Sequence, residues 1–303
     1  MIEIKGLTYN YGEKLAVNKL DLKVSEGEIH GLIGPDGAGK TTTMRVLTSL
    51  MRIQEGSASI SGVSVQNYRE IRNKIGYMPQ RFSLYPDLSV AENLDFFANI
   101  FLVSDDEKKE REDVLYSFSG LRSFQDRPAG KLSGGMKQKL ALMCALIHQP
   151  EVLILDEPTT GVDPVSREDF WDILHQVKKT GIPILVSTPY MDEVEKCDTV
   201  TLMNNGCAMR KGKPFELSDE IAFSVLNLKW LDQLPNHEFL SQIPGYIGIQ
   251  PFGKSYHLYI KNQSAEIKTI NYCRNIGLNP GSTEFHVPGI EDIFIYYMEY
   301  HNE

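Results

Sequence analysis

The chain has no apolar run long enough to cross a bilayer. Its longest, residues 140–147, falls far short of the ~18 residues a spanning helix needs. No leader is expected either, because Met1-Ile2-Glu3-Ile4-Lys5 turns amphipathic at once. Any membrane role is therefore expected to be peripheral. Cysteine is scarce: Cys144, Cys197, Cys207 and Cys273 form no Cys-x-x-Cys pair, and none has histidine at metal-ligand spacing. Structural zinc and a disulfide framework are both disfavoured, and a reducing compartment is favoured. An excess of base is also missing, with 31 Lys and Arg against 40 Asp and Glu and a net charge of −9. A protein that grips nucleic-acid backbones needs a basic face, so that class is disfavoured. There is no low-complexity tract and no internal repeat. With 42% hydrophobic and 23% charged residues in 303, global disorder is excluded and about two domains are expected.

What is present reads as α/β over the first ~215 residues. Residues 29–33 are an apolar run leading into a glycine-rich loop and then a helix from Thr41. Residues 152–155 and 184–186 are two more candidate strands. Their near-continuous apolarity suits parallel strands covered on both faces. Phe170, Ile173, Leu174 and Val177 share one helical face. Asp163-Pro164 would start that helix and Gly181 would end it. Leu140, Met143, Cys144 and Ile147 repeat the spacing in another helix.

Beyond Pro214 the pattern changes. Leu226, Leu228 and Trp230 alternate as in a strand, and a short helix is expected over 232–242. Strands at 246–250 and 256–260 flank a Pro251-Phe252-Gly253 turn, a helix spans 265–276 before Gly277, and a last strand covers 283–287. That βαββαβ order suggests a small ferredoxin-like α+β domain over 216–303. Ile290, Ile293, Phe294, Tyr297 and Met298 mark a terminal amphipathic helix.

Chemistry concentrates in the first part. Gly34-Pro35-Asp36-Gly37-Ala38-Gly39-Lys40-Thr41 fits G-x-x-x-x-G-K-[ST], with a strand before it and a helix after. The glycines let successive N–H groups point inward, where they and the helix N-terminus cradle phosphates. Lys40 would reach the β- and γ-phosphates, supplying charge to a ligand rather than to a core, and the Thr41 hydroxyl would ligate Mg²⁺. Val152-Leu153-Ile154-Leu155-Asp156-Glu157 delivers Asp156 at the carboxyl end of a strand, where open parallel sheets bind ligands. Asp156 suits the Mg²⁺ shell, and Glu157 suits orienting or deprotonating a water. Leu132-Ser133-Gly134-Gly135-Met136 precedes a helix and offers free N–H groups to an anion.

In this order and spacing, residues 1–215 resemble the ATP-binding subunit of an ATP-binding-cassette (ABC) transporter, of exporter type. The resemblance implies a P-loop NTPase core with an inserted α-helical subdomain at about 81–145. It implies ATP and Mg²⁺ as cofactors. Tyr11 resembles the aromatic that stacks on adenine, and Gln80 the loop glutamine that senses Mg²⁺ and the membrane subunit. Residues 132–136 match the signature that meets the γ-phosphate held by a second cassette. Gly161-Val162-Asp163-Pro164 matches the loop crossing the interface between cassettes. The implied nucleotide-binding set is thus Tyr11, Gly34, Pro35, Asp36, Gly37, Ala38, Gly39, Lys40, Thr41, Thr42, Ser133, Gly134, Gly135 and Asp163. The implied metal ligands are Thr41, Gln80 and Asp156. The implied catalytic residues are Glu157, Gln80 and Lys40. The implied partners are a second cassette and a separate transmembrane permease that docks on residues 81–130, with no nucleic acid. The expected location is the cytoplasmic side of the membrane.

Three residues depart from the family pattern. Asp36 replaces the usual Asn and is expected to face away from the phosphates. Met136 replaces the usual signature Gln. Pro189, in Ser187-Thr188-Pro189-Tyr190, occupies the position of the switch histidine. Proline offers no side-chain donor to polarise a phosphate, so reduced hydrolysis at this site is expected. A repair or translation ATPase is the weaker alternative. Only 93 residues separate Lys40 from Ser133, with no sustained heptads between them, and only one cassette is present. A nucleotide-binding regulator that no longer hydrolyses ATP is the third reading, supported by Pro189.

Overall fold

A computed structural model describes residues 1–81, 84–219, 223–229, 237–261, 266–278 and 285–300. The chain separates into two compact units, Met1–Lys213 and Pro214–Glu303. The division falls two residues ahead of the expected one, because Pro214 already opens a helix of the second unit; proline suits a first helical position.

The first unit begins with an antiparallel sheet that the sequence reading did not anticipate. It contains β1 (Ile2–Tyr11), β2 (Lys14–Val24), β4 (Glu55–Ile60) and β5 (Val63–Ser64), in the order β2-β1-β4-β5. Its register shifts at several points along β1, which blurs the period-2 signal in the sequence. Between β2 and β4 lie β3 (Ile29–Ile33) and α1 (Lys40–Leu47). After a short α2 (Tyr68–Ile71) comes β6 (Ile75–Met78), then the helical insert.

The insert contains α3 (Val90–Ile100), α4 (Asp105–Ser119) and α5 (Gly134–Leu146). A capping box starts α3, with the Ser89 hydroxyl accepting from Glu92 N and the Glu92 carboxylate from Ser89 N. Next come β7 (Val152–Asp156), α6 (Pro164–Lys178), β8 (Ile184–Thr188), β9 (Thr199–Asn204) and β10 (Cys207–Gly212). The main sheet has the order β10-β9-β3-β8-β7-β6, parallel from β9 to β6. Every residue of β3, β7 and β8 is buried, as their near-continuous apolarity predicts. One core joins the two sheets through Met44, Val46 and Leu47 of α1.

The second unit contains α7 (Pro214–Asp219), β11 (Phe223–Lys229), α8 (His237–Leu240), β12 (Tyr246–Phe252), β13 (Ser255–Lys261), α9 (Glu266–Asn275) and α10 (Ile290–Ile295). The antiparallel order is β11-β13-β12, and His286 bridges Val225 on the open side of β11. That is the strand arrangement of the βαββαβ reading. Trp230, the first residues of the expected 232–242 helix, Ala265 and the start of the expected last strand at Thr283 lie outside the described residues.

The expected Pro251-Phe252-Gly253 turn is corrected. Pro251 and Phe252 continue β12, opposite Tyr256 and Ser255, and the turn is Gly253-Lys254, with Gly253 at φ 57°. β12 is an edge of the three-stranded sheet, where proline's missing N–H is tolerated. The last helix is also shorter than its amphipathic stripe, widening into a π-type turn over Tyr296–Tyr300.

Candidate functional site

Parallel pairing of β3, β8 and β7 brings their carboxyl ends to one edge of the sheet. From β3 the chain turns through residues 34–39 into α1. Gly39 precedes that helix at φ 104°, and a Cβ there would lie 2.5 Å from the Ala16 carbonyl, so only glycine fits. No side chain caps α1, which leaves its first N–H groups free toward the loop's concavity.

The cavity in front of the loop has a volume of about 370 Å³. Its walls are Tyr11, Lys14, Ala16, residues 36–42, Gln80 and Glu157. Lys40 is only 3% exposed. Its ammonium donates to the carbonyls of Gly34 (2.7 Å) and Pro35 (3.1 Å) and pairs with Glu157 Oε1 at 3.2 Å. The expectation that Lys40 contributes nothing to the interior is therefore corrected. Its charge is matched by a buried carboxylate, and removing it would leave Glu157 without its cation. Thr41 donates its hydroxyl to Asp156 Oδ1 at 3.1 Å, and Gln80 Nε2 donates to Glu157 Oε2 at 2.8 Å.

Asp156 and Glu157 are 1% and 4% exposed. Burial pushes the Asp156 carboxyl above its ordinary range, against the opposing pull of the Ser187 and Thr41 hydroxyls, while the Glu157 charge adds to the rise. This buried carboxylate is thus short of positive charge. Hydroxyl and carboxylate oxygens beside it are the donor set that suits a hard divalent cation.

The other expected residues take two different positions. Tyr11 is 47% exposed at the cavity mouth, edge-on to Tyr9 and 3.5 Å from the Thr42 hydroxyl. Asp36 is exposed and belongs to the cavity lining. The loop it sits on forms that wall. Ser133, Gly134, Gly135 and Asp163 lie outside the cavity and gather with one another. Ser133 caps α5 by accepting from Met136 N, and Asp163 caps α6 by accepting from Ser166 N at 3.0 Å. That bond, with the Ser166 side chain, holds the Asp163 carboxyl below its usual range. A Cβ on Gly135 would lie 2.5 Å from Ser166 Cβ, so the glycine is what lets α5 approach α6.

The family model described as ABC transporter matches residues 17–160. A Nod factor export ATP-binding protein I of Ralstonia nicotianae is 33% identical over 97% of this chain and 92% of its own length. The chain belongs to the ABC transporter ATP-binding family. Another member, the Probable multidrug ABC transporter ATP-binding protein YbhF of Escherichia coli, is 44% identical over 97% of this chain. This chain spans about half of that protein, 51% of its length. Among solved structures, the dimeric post-hydrolysis ATP-binding cassette MJ0796, bound to ADP and Pi, aligns with a TM-score of 0.63. Identity is 26%, over 70% of this chain and 98% of that one. Cassettes of this family bind ATP.

Sequence reasoning missed Lys14 and Ala16 on the cavity wall, because β2 carries no motif. It also missed Ser187, whose hydroxyl reaches both Asp156 and the Glu157 backbone. A hydroxyl residue inside an apolar strand was the available signal. Among the described residues, no group of His, Cys, Asp and Glu forms a separate metal site, and no helix is long and apolar enough to cross a membrane. The four cysteines are free.

Proposed function

We propose that this chain hydrolyses ATP in a head-to-tail pair of cassettes and thereby drives export through a separate membrane subunit. One observation carries the reading. Lys40, Thr41, Gln80 and Glu157 line one cavity, with Asp156 bonded to Thr41 just behind its wall, while Ser133–Gly135 and Asp163 gather outside it. A phosphate chain cradled by residues 34–41 would have its γ end uncovered until a second cassette supplied its Ser133–Gly135. The dimeric MJ0796 cassette with ADP and Pi supports that arrangement, and the export roles in the names of the Escherichia and Ralstonia relatives support the direction of transport.

In this reading Tyr11 stacks on the adenine. Lys40 holds phosphate oxygens and gives up part of its pairing with Glu157. Mg²⁺, held by Thr41, Asp156 and Gln80, would supply positive charge to the phosphates. Glu157 then orients a water and accepts its proton, with Gln80 fixing one carboxylate oxygen.

Docking of the membrane subunit is assigned to the helical insert. A cavity of about 170 Å³, bordered by Leu84, Phe97 and Phe101, opens there. Leu50, Tyr85, Ile100 and Leu102 are exposed apolar residues of the same unit. Purification with the membrane subunit is expected, together with ATP-dependent doubling of cassette mass by light scattering. Absence of both, with ribosomes or DNA recovered instead, would overturn the reading.

A further inference from the structure

We infer that Ser187 is a positioning residue for ATP hydrolysis, its hydroxyl locking Asp156 and Glu157 into one arrangement across the β7–β8 pairing. The inference rests on the roles proposed above for those two carboxylates.

The parallel register sets Asp156 opposite Ser187. Ser187 Oγ lies 2.8 Å from Asp156 Oδ1 and 2.9 Å from Glu157 N. The direction of both bonds is forced. An amide can only donate, so Oγ accepts from Glu157 N, and its single proton is left for Asp156. Ser187 is fully buried, so no water competes for either bond. Asp156 Oδ1 also accepts from Thr41, the first hydroxyl of α1. Ser187 therefore fixes the same Asp156 oxygen that meets the first turn of α1, and with it the Glu157 backbone.

Glu157 has a φ of +49°, left-handed backbone that a non-glycine residue occupies only when its surroundings hold it there. Its N–H is held by Ser187 alone, by Oγ and, at 3.2 Å, by the carbonyl oxygen. From this backbone the Glu157 side chain reaches Lys40 and Gln80. Packing gives no reason for serine at this position. Its neighbours Ile184, Leu185 and Val186 are buried and apolar, and a buried hydroxyl is costly unless both of its roles are used. Pro189 brings no donor side chain from the end of β8. Among the described residues, Ser187 is the residue of that strand whose side chain bonds to the carboxylate pair.

The test is single-turnover hydrolysis and ATP affinity, by calorimetry, on the full chain carrying Ser187→Ala, Ser187→Cys or Glu157→Gln. Loss of both Oγ bonds is expected to slow hydrolysis about tenfold or more in Ser187→Ala, with ATP Kd within about twofold of the native value. Ser187→Cys keeps the side chain's place but bonds weakly, so it is expected to follow Ser187→Ala. A native rate in either serine variant, or parallel losses of rate, affinity and melting temperature, would overturn the positioning role. If Glu157→Gln leaves the rate unchanged, the proposed roles of the carboxylates fall first, and this inference falls with them.

Discussion

Each unit of the chain buries carboxylates, and the two do so in opposite ways. In the first unit, Glu157 stands at a cavity wall with Asp156 directly behind it, and Thr41, Ser187, Gln80 and Lys40 hold the two carboxylates. In the second, Asp292 is buried among partners of its own unit. Its Oδ1 meets His257 Nδ1 at 2.7 Å and the Tyr259 hydroxyl at 3.2 Å, and its Oδ2 accepts from Gly289 N at 2.9 Å. The Glu157 carboxylate lines a cavity of about 370 Å³, whereas both Asp292 carboxylate oxygens are engaged by described residues of its own unit. Burial with hydrogen bonds is thus common to a reactive site and to a structural pin; unfilled space beside the charge separates them.

The largest effect that sharpens this contrast is expected from Glu157→Gln. Removing a general base typically costs about 10²–10⁴ in rate. The amide keeps the volume and can still bond with Gln80, so ATP should bind and a closed pair of cassettes should accumulate. Single-turnover hydrolysis and scattering in Mg-ATP check both. Unimpaired hydrolysis would show that this carboxylate, like Asp292, is structural.

Pro189 is next. It directly follows β8 and is half-buried, and the loop after it is tied down. Thr188 Oγ1 accepts from Tyr190 N, while Arg167 lies over the Tyr190 ring at 4.8 Å and bonds to Asp192. A missing donor to transition-state charge costs about 10²–10³ in rate. Native turnover should be low, and Pro189→His should raise it by up to about that factor if the new imidazole reaches the cavity. Fast native hydrolysis that Glu157→Gln abolishes would end the idea of a weakened site.

Lys40→Ala is expected to weaken ATP binding by roughly 10- to 150-fold, the loss of a charge-assisted contact. The structure adds a second expectation. Because Lys40 and Glu157 are both nearly inaccessible, the variant should also melt lower, and Lys40→Ala with Glu157→Gln should recover part of that loss. Calorimetry and thermal unfolding on the two variants separate the ligand's share from the interior's. Full affinity in the folded single variant would refute the phosphate role.

The same contrast explains what could be read from residues alone. The phosphate loop is legible because its chemistry is local: Gly34 to Thr41 are contiguous, and the glycines, Lys40 and Thr41 stand at fixed spacing. The Asp156-Glu157 strand end is legible because four apolar residues, Val152 to Leu155, precede it. Strands β3, β7 and β8 are legible for the same reason. The antiparallel sheet was not, because its register shifts scatter the alternation of β1. Ser187 was not, because its partners are 30 and 31 residues away and only the parallel register unites them. The buried partnership of Lys40 escaped for a related reason, since no spacing rule links it to Glu157. In the second unit, the alternation of β11 and β13 gave the strands, but Asp292 carries no motif, and its pairing with His257 spans 35 residues.

The smallest effect expected is on Asp292, and it tests the comparison from the other side. Asp292→Ala removes the acceptor for His257, Tyr259 and the Gly289 amide, all packed around it. Leaving buried donors unmatched costs about 1–3 kcal/mol. The loss should fall on the second unit alone, because none of its described residues lines the phosphate-loop cavity. Asp292→Asn keeps the shape and one acceptor oxygen, so a smaller loss is expected. Thermal unfolding should therefore show the second unit melting earlier, while ATP affinity by calorimetry stays at the native value. A drop in ATP affinity with the first unit still folded would mean that Asp292 reaches the nucleotide site, and the distinction between a filled pin and an open site would no longer divide these two units.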